Sequence, residues 1–148
     1  MIEVTRCRCC NSDDLVNYFS LGKQPIVNNF PKPEEGSCPK YPLQVNVCRK
    51  CYHSQLSNVV DLKELYSNYP YVSGISDTLD KYFSWFVDFT EQYAVKGSIL
   101  EIGCNDGTQL KKFRDVGWEV LGVDPAINLH SKNISVITGF WGDDIVDQ

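Results

Sequence analysis

Two cysteine pairs, Cys7-Arg8-Cys9-Cys10 and Cys48-Arg49-Lys50-Cys51, constrain the fold more than any other feature of the sequence. In a C-x-x-C turn, positions i and i+3 come together and present two thiolates to one metal ion. Two such turns facing each other complete a tetrahedral S₄ site, the arrangement that suits structural zinc. Cys7, Cys10, Cys48 and Cys51 are therefore the expected metal ligands. Four sulfurs on one zinc leave no open coordination position, so the metal is expected to hold structure and not to react. Cys9 and Cys38 are spare, and His53 reads as a surface histidine. A redox dithiol fits less well, because neither pair lies in a βαβ context.

Residues 11–47 separate the pairs, more than the roughly 15–20 residues of a short zinc ribbon, so a small β-rich domain must fill the gap. Tyr41 to Val47 alternates apolar and polar residues, as a strand entering the second knuckle does. Ser20 to Gly36, rich in proline and glycine, reads as a loop with short extended pieces. Asn11, just after the first pair, tolerates a left-handed turn, whereas Tyr52 after the second is less comfortable there. A zinc-binding domain over 1–58 is small enough to need its metal. A short helix over Val59 to Tyr66, capped by Ser57 or Asn58, opens a linker over 59–75. That linker carries the polar-aromatic run Tyr66 to Ser76, read from composition alone as a surface connection with tyrosines that pack.

The remaining segment, 76–148, has the pattern of a parallel α/β sheet. A helix starts at Ser76, with Leu79, Tyr82, Phe83, Phe86, Val87, Thr90, Tyr93 and Ala94 on one face and Gly97 just past its end. Its aromatic density is expected to serve core packing. The apolar run Ile99, Leu100, Ile102 then reaches the turn Gly103-Cys104-Asn105-Asp106-Gly107. A helix containing Leu110 and Phe113 follows, stopped at Gly117. A second strand, Trp118 to Val123, ends in Asp124-Pro125. A strand that delivers its carboxyl end and the next helix's N-terminus to one place is how an α/β sheet presents a ligand site. Asn105 stands where the second glycine of a dinucleotide fingerprint would admit a pyrophosphate. A nucleoside without a pyrophosphate, such as S-adenosylmethionine, is therefore favoured over a dinucleotide. Asp124 lies 21 positions after Gly103, where an acidic residue on the second strand reaches ribose hydroxyls. A short helix over Ala126 to His130 and a third strand over Ile134 to Thr138 are expected next. Asp143 or Asp144, in the closing turn, is a candidate for the adenine end of a nucleoside.

A net charge of −5 and a pI near 4.9 argue against nucleic acid or an anionic membrane as the main partner. No apolar run approaches the roughly 20 residues needed to cross a bilayer. The N-terminus has no apolar signal core, so a cytoplasmic protein is expected, and seven cysteines then point to metal or chemistry before disulfides.

Several stretches occur in an order that resembles a known family. They are the paired knuckles, Pro25 to Asn28, Tyr41 to Leu43, Tyr-Pro-Tyr-Val-Ser-Gly-Ile-Ser from Tyr69 to Ser76, Glu101 to Thr108, and Gly122 to Pro125. Together they resemble the zinc-containing, S-adenosylmethionine-dependent sugar C-methyltransferases of deoxysugar biosynthesis. The fold this implies is a small zinc-binding β-rich domain followed by the first half of a Rossmann-like methyltransferase sheet. The activity it implies is methyl transfer to a carbon beside a ketone on a nucleotide-linked deoxysugar. By motif position, Glu101, Gly103, Asn105, Gly107 and Asp124 would line the cofactor. Tyr71 would reach the substrate as a catalytic hydrogen-bond donor, with Tyr69 and Ser73 binding beside it. Tyr52 and His53 depart from the family pattern, which more often has a glycine and an apolar residue there. The sequence also stops after the third strand, before the Asn-x-x-x-His region that would supply the base. A truncation, or a split enzyme completed by a second chain or another copy, is one expectation. A non-catalytic zinc module that binds a nucleotide sugar or a partner is the other.

Overall fold

The computed structural model describes all of the chain except residues 33, 35, 130–132, 143–144 and 146–148. It divides into two compact units, Met1–Leu65 and Tyr66–Gln148.

The first unit is built from five strands and a short helix. Strands β2 (Leu15–Pro25), β3 (Lys40–Cys48) and β4 (Ser54–Leu56) form an antiparallel sheet in that order. β1 (Ile2–Glu3) pairs separately with β5 (Asn58–Val59). The expected loop over Ser20 to Gly36 begins later than read: Ser20 to Pro25 is the second half of β2, and turn and irregular backbone follow over 26–32. The strand survives glycine by taking irregularities between Asn17 and Phe19 and between Ser20 and Lys23, with Gly22 at φ +69°. The helix, α1 (Leu62–Tyr66), starts later than Val59. Asn58 and Val59 are committed to the sheet, and the Asp61 carboxylate caps instead, accepting from Lys63 N at 2.8 Å. Among the described residues of this unit, the buried ones are Cys7, Cys48, Gln55 and Ser57. Among its described residues no aliphatic or aromatic side chain is buried.

The second unit has an apolar core. Strands β6 (Ser98–Ile102), β7 (Glu119–Asp124) and β8 (Val136–Thr138) form a parallel sheet in sequence order. Helix α2 (Asp77–Tyr93) precedes it and α3 (Thr108–Asp115) connects the first two strands. Ser76 caps α2, its Oγ accepting from Leu79 N at 3.3 Å. The chain leaves α2 through extended Ala94, before Gly97 is reached. α3 ends in a Schellman turn: Gly117 N (φ +96°) donates to Arg114 O and Trp118 N to Phe113 O. The accompanying apolar contact is the edge-to-face pair Phe113–Trp118. Val87, Phe113 and Trp118 make one core cluster, and Cys104, Leu110 and Ile134 another, with Ile99 and Val120 packed against both.

Only part of the aromatic density of α2 enters this core. Phe86 meets Phe113 edge-on, but Tyr82, Trp85, Phe89 and Tyr93 are 41–75% exposed and stack along the outer face. Tyr82, Phe86, Phe89 and Tyr93 share one stripe of the helix, and it is Phe86 that reaches the core from it, so the expectation of pure core packing fails. The region after Pro125 is a turn over 127–129 where a helix was expected, with Leu129 N donating to Ala126 O at 3.3 Å and the Asn128 side chain engaged with the backbone of Tyr69. His130, Asp143 and Asp144 lie outside the described residues.

Candidate functional site

Cys7, Cys10, Cys48 and Cys51 place their sulfurs within 4.8 Å of one another. Cys7 and Cys51 are 3.6 Å apart, as are Cys10 and Cys48. A tetrahedral S₄ set with metal–sulfur bonds of about 2.3 Å has sulfurs about 3.8 Å apart, so these residues fit zinc. The two knuckles are alike in detail. In each, the first cysteine's carbonyl accepts from the residue after the second cysteine, Asn11 N in one and Tyr52 N in the other, both at 2.8 Å. Both acceptor-closing residues take φ near +60°. Tyr52 does adopt the left-handed conformation, with its ring 80% exposed.

Without a cation, four thiols at this distance cannot all ionise. The backbone N–H of Cys10 leads the groups that, against burial, draw the Cys7 thiol down to about 6. At Cys51 the backbone N–H of His53 pulls down, but the sulfurs of Cys10, Cys7 and Cys48 together with burial push the thiol up to about 12. A divalent cation relieves that conflict by holding all four as thiolates, its charge offsetting half of theirs. Gln55, which nothing in the sequence pattern singled out, fixes the first knuckle: its Oε1 accepts from Arg8 N at 2.9 Å and its Nε2 donates to Arg6 O at 3.0 Å. Its signal was a polar residue in the middle of a strand, which sequence alone does not distinguish from a solvent-facing one. His53 is exposed and stands outside the sulfur cluster.

In the second unit a cleft of about 330 Å³ opens at the carboxyl ends of β6 and β7. Ile102, Gly103 and Asn105 line it from the first turn, and Val123, Asp124 and Pro125 from the second. Tyr66 and Tyr69 form one aromatic wall, and Phe140 and Trp141 another. Gly103 (φ +77°) and Gly107 (φ +76°) are both left-handed, and a Cβ on Gly107 would press on Ile134 at 3.3 Å. The buried Asp124 carboxylate joins the two turns, accepting from Asn105 N and from Ala126 N, each at 2.8 Å.

Of the residues singled out from sequence, Gly103, Asn105, Asp124 and Tyr69 line the cleft, and Glu101, Gly107, Tyr71 and Ser73 do not. Asn105 turns its side chain to the tyrosine segment: Oδ1 accepts from Ser73 N at 2.9 Å and Nδ2 donates to Tyr71 O at 3.1 Å. Asp106 does the same for Gly74, whose N–H it accepts at 3.0 Å. The Tyr66 to Ser76 run is thus fastened to the glycine turn, where composition suggested a free surface connection. Glu101 has one carboxylate oxygen buried without a partner among the described residues. Burial, with the charges of Asp106 and Asp124, pushes its carboxyl up to about 7. Asp106 and Asn128 were missed because each acts on a backbone distant in sequence, and Phe140 and Trp141 because the fold alone brings them to the cleft.

Residues 7–66 match the family described as "Putative zinc binding domain". The chain is also 33% identical over 131 residues to the C-methyltransferase NovU of Streptomyces niveus, a match that covers 85% of this chain. It spans about a third of that relative's length, 31%. No helix among the described residues is long and apolar enough to cross a membrane. The chain carries this zinc-binding domain in residues 7–66 and is, over most of its own length, a relative of a C-methyltransferase.

Proposed function

We propose that this chain is part of an S-adenosylmethionine-dependent C-methyltransferase acting on a nucleotide-linked keto-deoxysugar. The observation that carries the reading is the cleft at the carboxyl ends of two parallel strands, where Gly103, Asn105 and Asp124 meet aromatic walls. Its size and the Asp124 carboxylate in its wall suit an adenosyl group: a carboxylate lone pair for ribose hydroxyls and flat apolar surfaces for a base. The parallel order of β6, β7 and β8 supports a Rossmann-like sheet. Relatedness to a C-methyltransferase supports the reaction class.

Zinc held by Cys7, Cys10, Cys48 and Cys51 is structural in this reading. Bound S-adenosylmethionine supplies an electrophilic methyl group. The chain's residues would hold it: Gly103 by close backbone approach, Asn105 and Asp124 at the ribose, with Glu101 and Gly107 behind them supporting the turn. Tyr71, flanked by Tyr69 and Ser73, would donate a hydrogen bond to the substrate ketone as charge builds on its oxygen while a general base takes the α-proton, before the enolate carbon takes the methyl group. Leu100, Ile102 and Leu121, all exposed on the sheet, support a further covering element contributed by a second chain or copy.

Transfer of radiolabelled methyl from S-adenosylmethionine to a thymidine-diphosphate-linked ketosugar tests the activity. Label in the sugar is the expected result. Substrate binding without label would contradict it and favour a non-catalytic zinc module that binds a nucleotide sugar.

A further inference from the structure

The tyrosine segment and the cleft are joined by a closed ring of hydrogen bonds. Asp124 ties the turn at Asn105 to the turn that begins at Ala126. From the first turn the Asn105 amide grips Tyr71 O and Ser73 N. From the second, the Asn128 amide grips Tyr69 in the same two-point way, Oδ1 accepting from Tyr69 N at 3.0 Å and Nδ2 donating to Tyr69 O at 2.9 Å. Ile127 N adds a bond to Ser67 O at 3.1 Å. Gly74 completes the contact, since a Cβ there would lie 2.5 Å from Asp106 Oδ2.

A primary amide suits this task because it carries a donor and an acceptor side by side, matching the N–H and C=O of an extended backbone. Asn128 does not line the cleft, whereas Tyr69, which it grips, does. We propose that Asn128, with Asn105, is a positioning residue: the two amides carry the Tyr69–Ser73 backbone on the turns that Asp124 joins, so that ligand in the cleft and the tyrosine segment become ordered together. This deepens the methyltransferase reading, since the same segment bears the tyrosine proposed to meet substrate. Binding that stiffens the two turns then stiffens the segment, and the converse follows by linkage.

Residue-resolved amide exchange on the zinc-loaded chain tests this, with wild type, Asn128→Ala and Asn128→Asp compared. Without ligand, the Tyr69 amide is expected to exchange about tenfold faster in Asn128→Ala, as loss of about 1.4 kcal/mol of local protection implies. Asn128→Asp keeps an acceptor and is expected to restore slow exchange at Tyr69, while Ser73 is unchanged in both variants. Equal Tyr69 rates in all three proteins would overturn the positioning role. With saturating S-adenosylmethionine, Tyr69 and Ser73 slow together in wild type, but Ser73 alone slows in Asn128→Ala. Calorimetric binding with no slowing at Tyr69 in wild type would overturn the coupling. Absence of calorimetric binding would remove the cofactor reading instead, and the ligand-free comparison would still decide the role of Asn128.

Discussion

The Asp124 Oδ2 atom accepts a hydrogen bond from the backbone N–H of Asn105 at 2.8 Å, so the end of one strand holds the turn that follows its neighbour. The other oxygen accepts from Ala126 N, and the carboxylate is buried. Replacement by the isosteric amide turns an NH₂ group toward one of these N–H donors. Asp124→Asn is therefore expected to lower unfolding free energy by about 1–3 kcal/mol. Urea titration of the zinc-loaded chain measures this, and an unchanged midpoint would contradict it.

Glu101 makes stability depend on pH. Its carboxyl is raised from 4.5 to about 7, chiefly by burial and then by the charges of Asp106 and Asp124. The folded state thus holds a proton that the unfolded state releases. Its contribution is complete below about pH 4.5 and is lost as pH rises to about 7. Glu101→Gln, which cannot ionise, is expected to gain stability relative to wild type across that window and hold the gain above it. Melting curves at pH 5 and pH 8 check this, and a constant difference between the proteins would refute it.

Tyr52 sits at φ +62° with an exposed ring, a conformation that costs an L residue with a bulky side chain about 1–2 kcal/mol. Asn11 occupies the matching place in the other knuckle. Tyr52→Asn is expected to stabilise the zinc-loaded first unit by about 0.5–1 kcal/mol, because asparagine tolerates this conformation. Denaturant midpoints at fixed free zinc provide the comparison.

The two units should respond differently to metal removal. The buried residues described in Met1–Leu65 are Cys7, Cys48, Gln55 and Ser57, whereas both apolar clusters lie in the second unit. Metal analysis is expected to give about one zinc per chain. Strong chelation should remove β signal from the far-ultraviolet spectrum and leave tryptophan emission in place, since Trp85, Trp118 and Trp141 all belong to the second unit. Simultaneous loss of both signals would show that the metal supports more than its own unit.

The parts legible in the sequence are those set by local chemistry. The cysteine spacing pointed to four sulfurs that converge, Ser76 to a cap it does provide, and Gly117 to a turn it does make. What stayed hidden depends on contacts between distant residues. Asn105 was read as occupying the place of a fingerprint glycine and lining a cofactor site, with no sign that its amide also serves the backbone at Tyr71 and Ser73. Asn128 was assigned to a helix, yet it sits in a turn and its amide holds the backbone of Tyr69, 59 residues away. The outer aromatics of α2 were assigned to the core because periodicity marks a face without saying what, if anything, meets it.

Isothermal calorimetry of the folded, zinc-loaded chain with S-adenosylmethionine tests the central claim most directly. Saturable heat at a single site, lost in Asp124→Ala, is the predicted result. No heat at high micromolar protein, from a sample with its zinc content and fold verified, would contradict it.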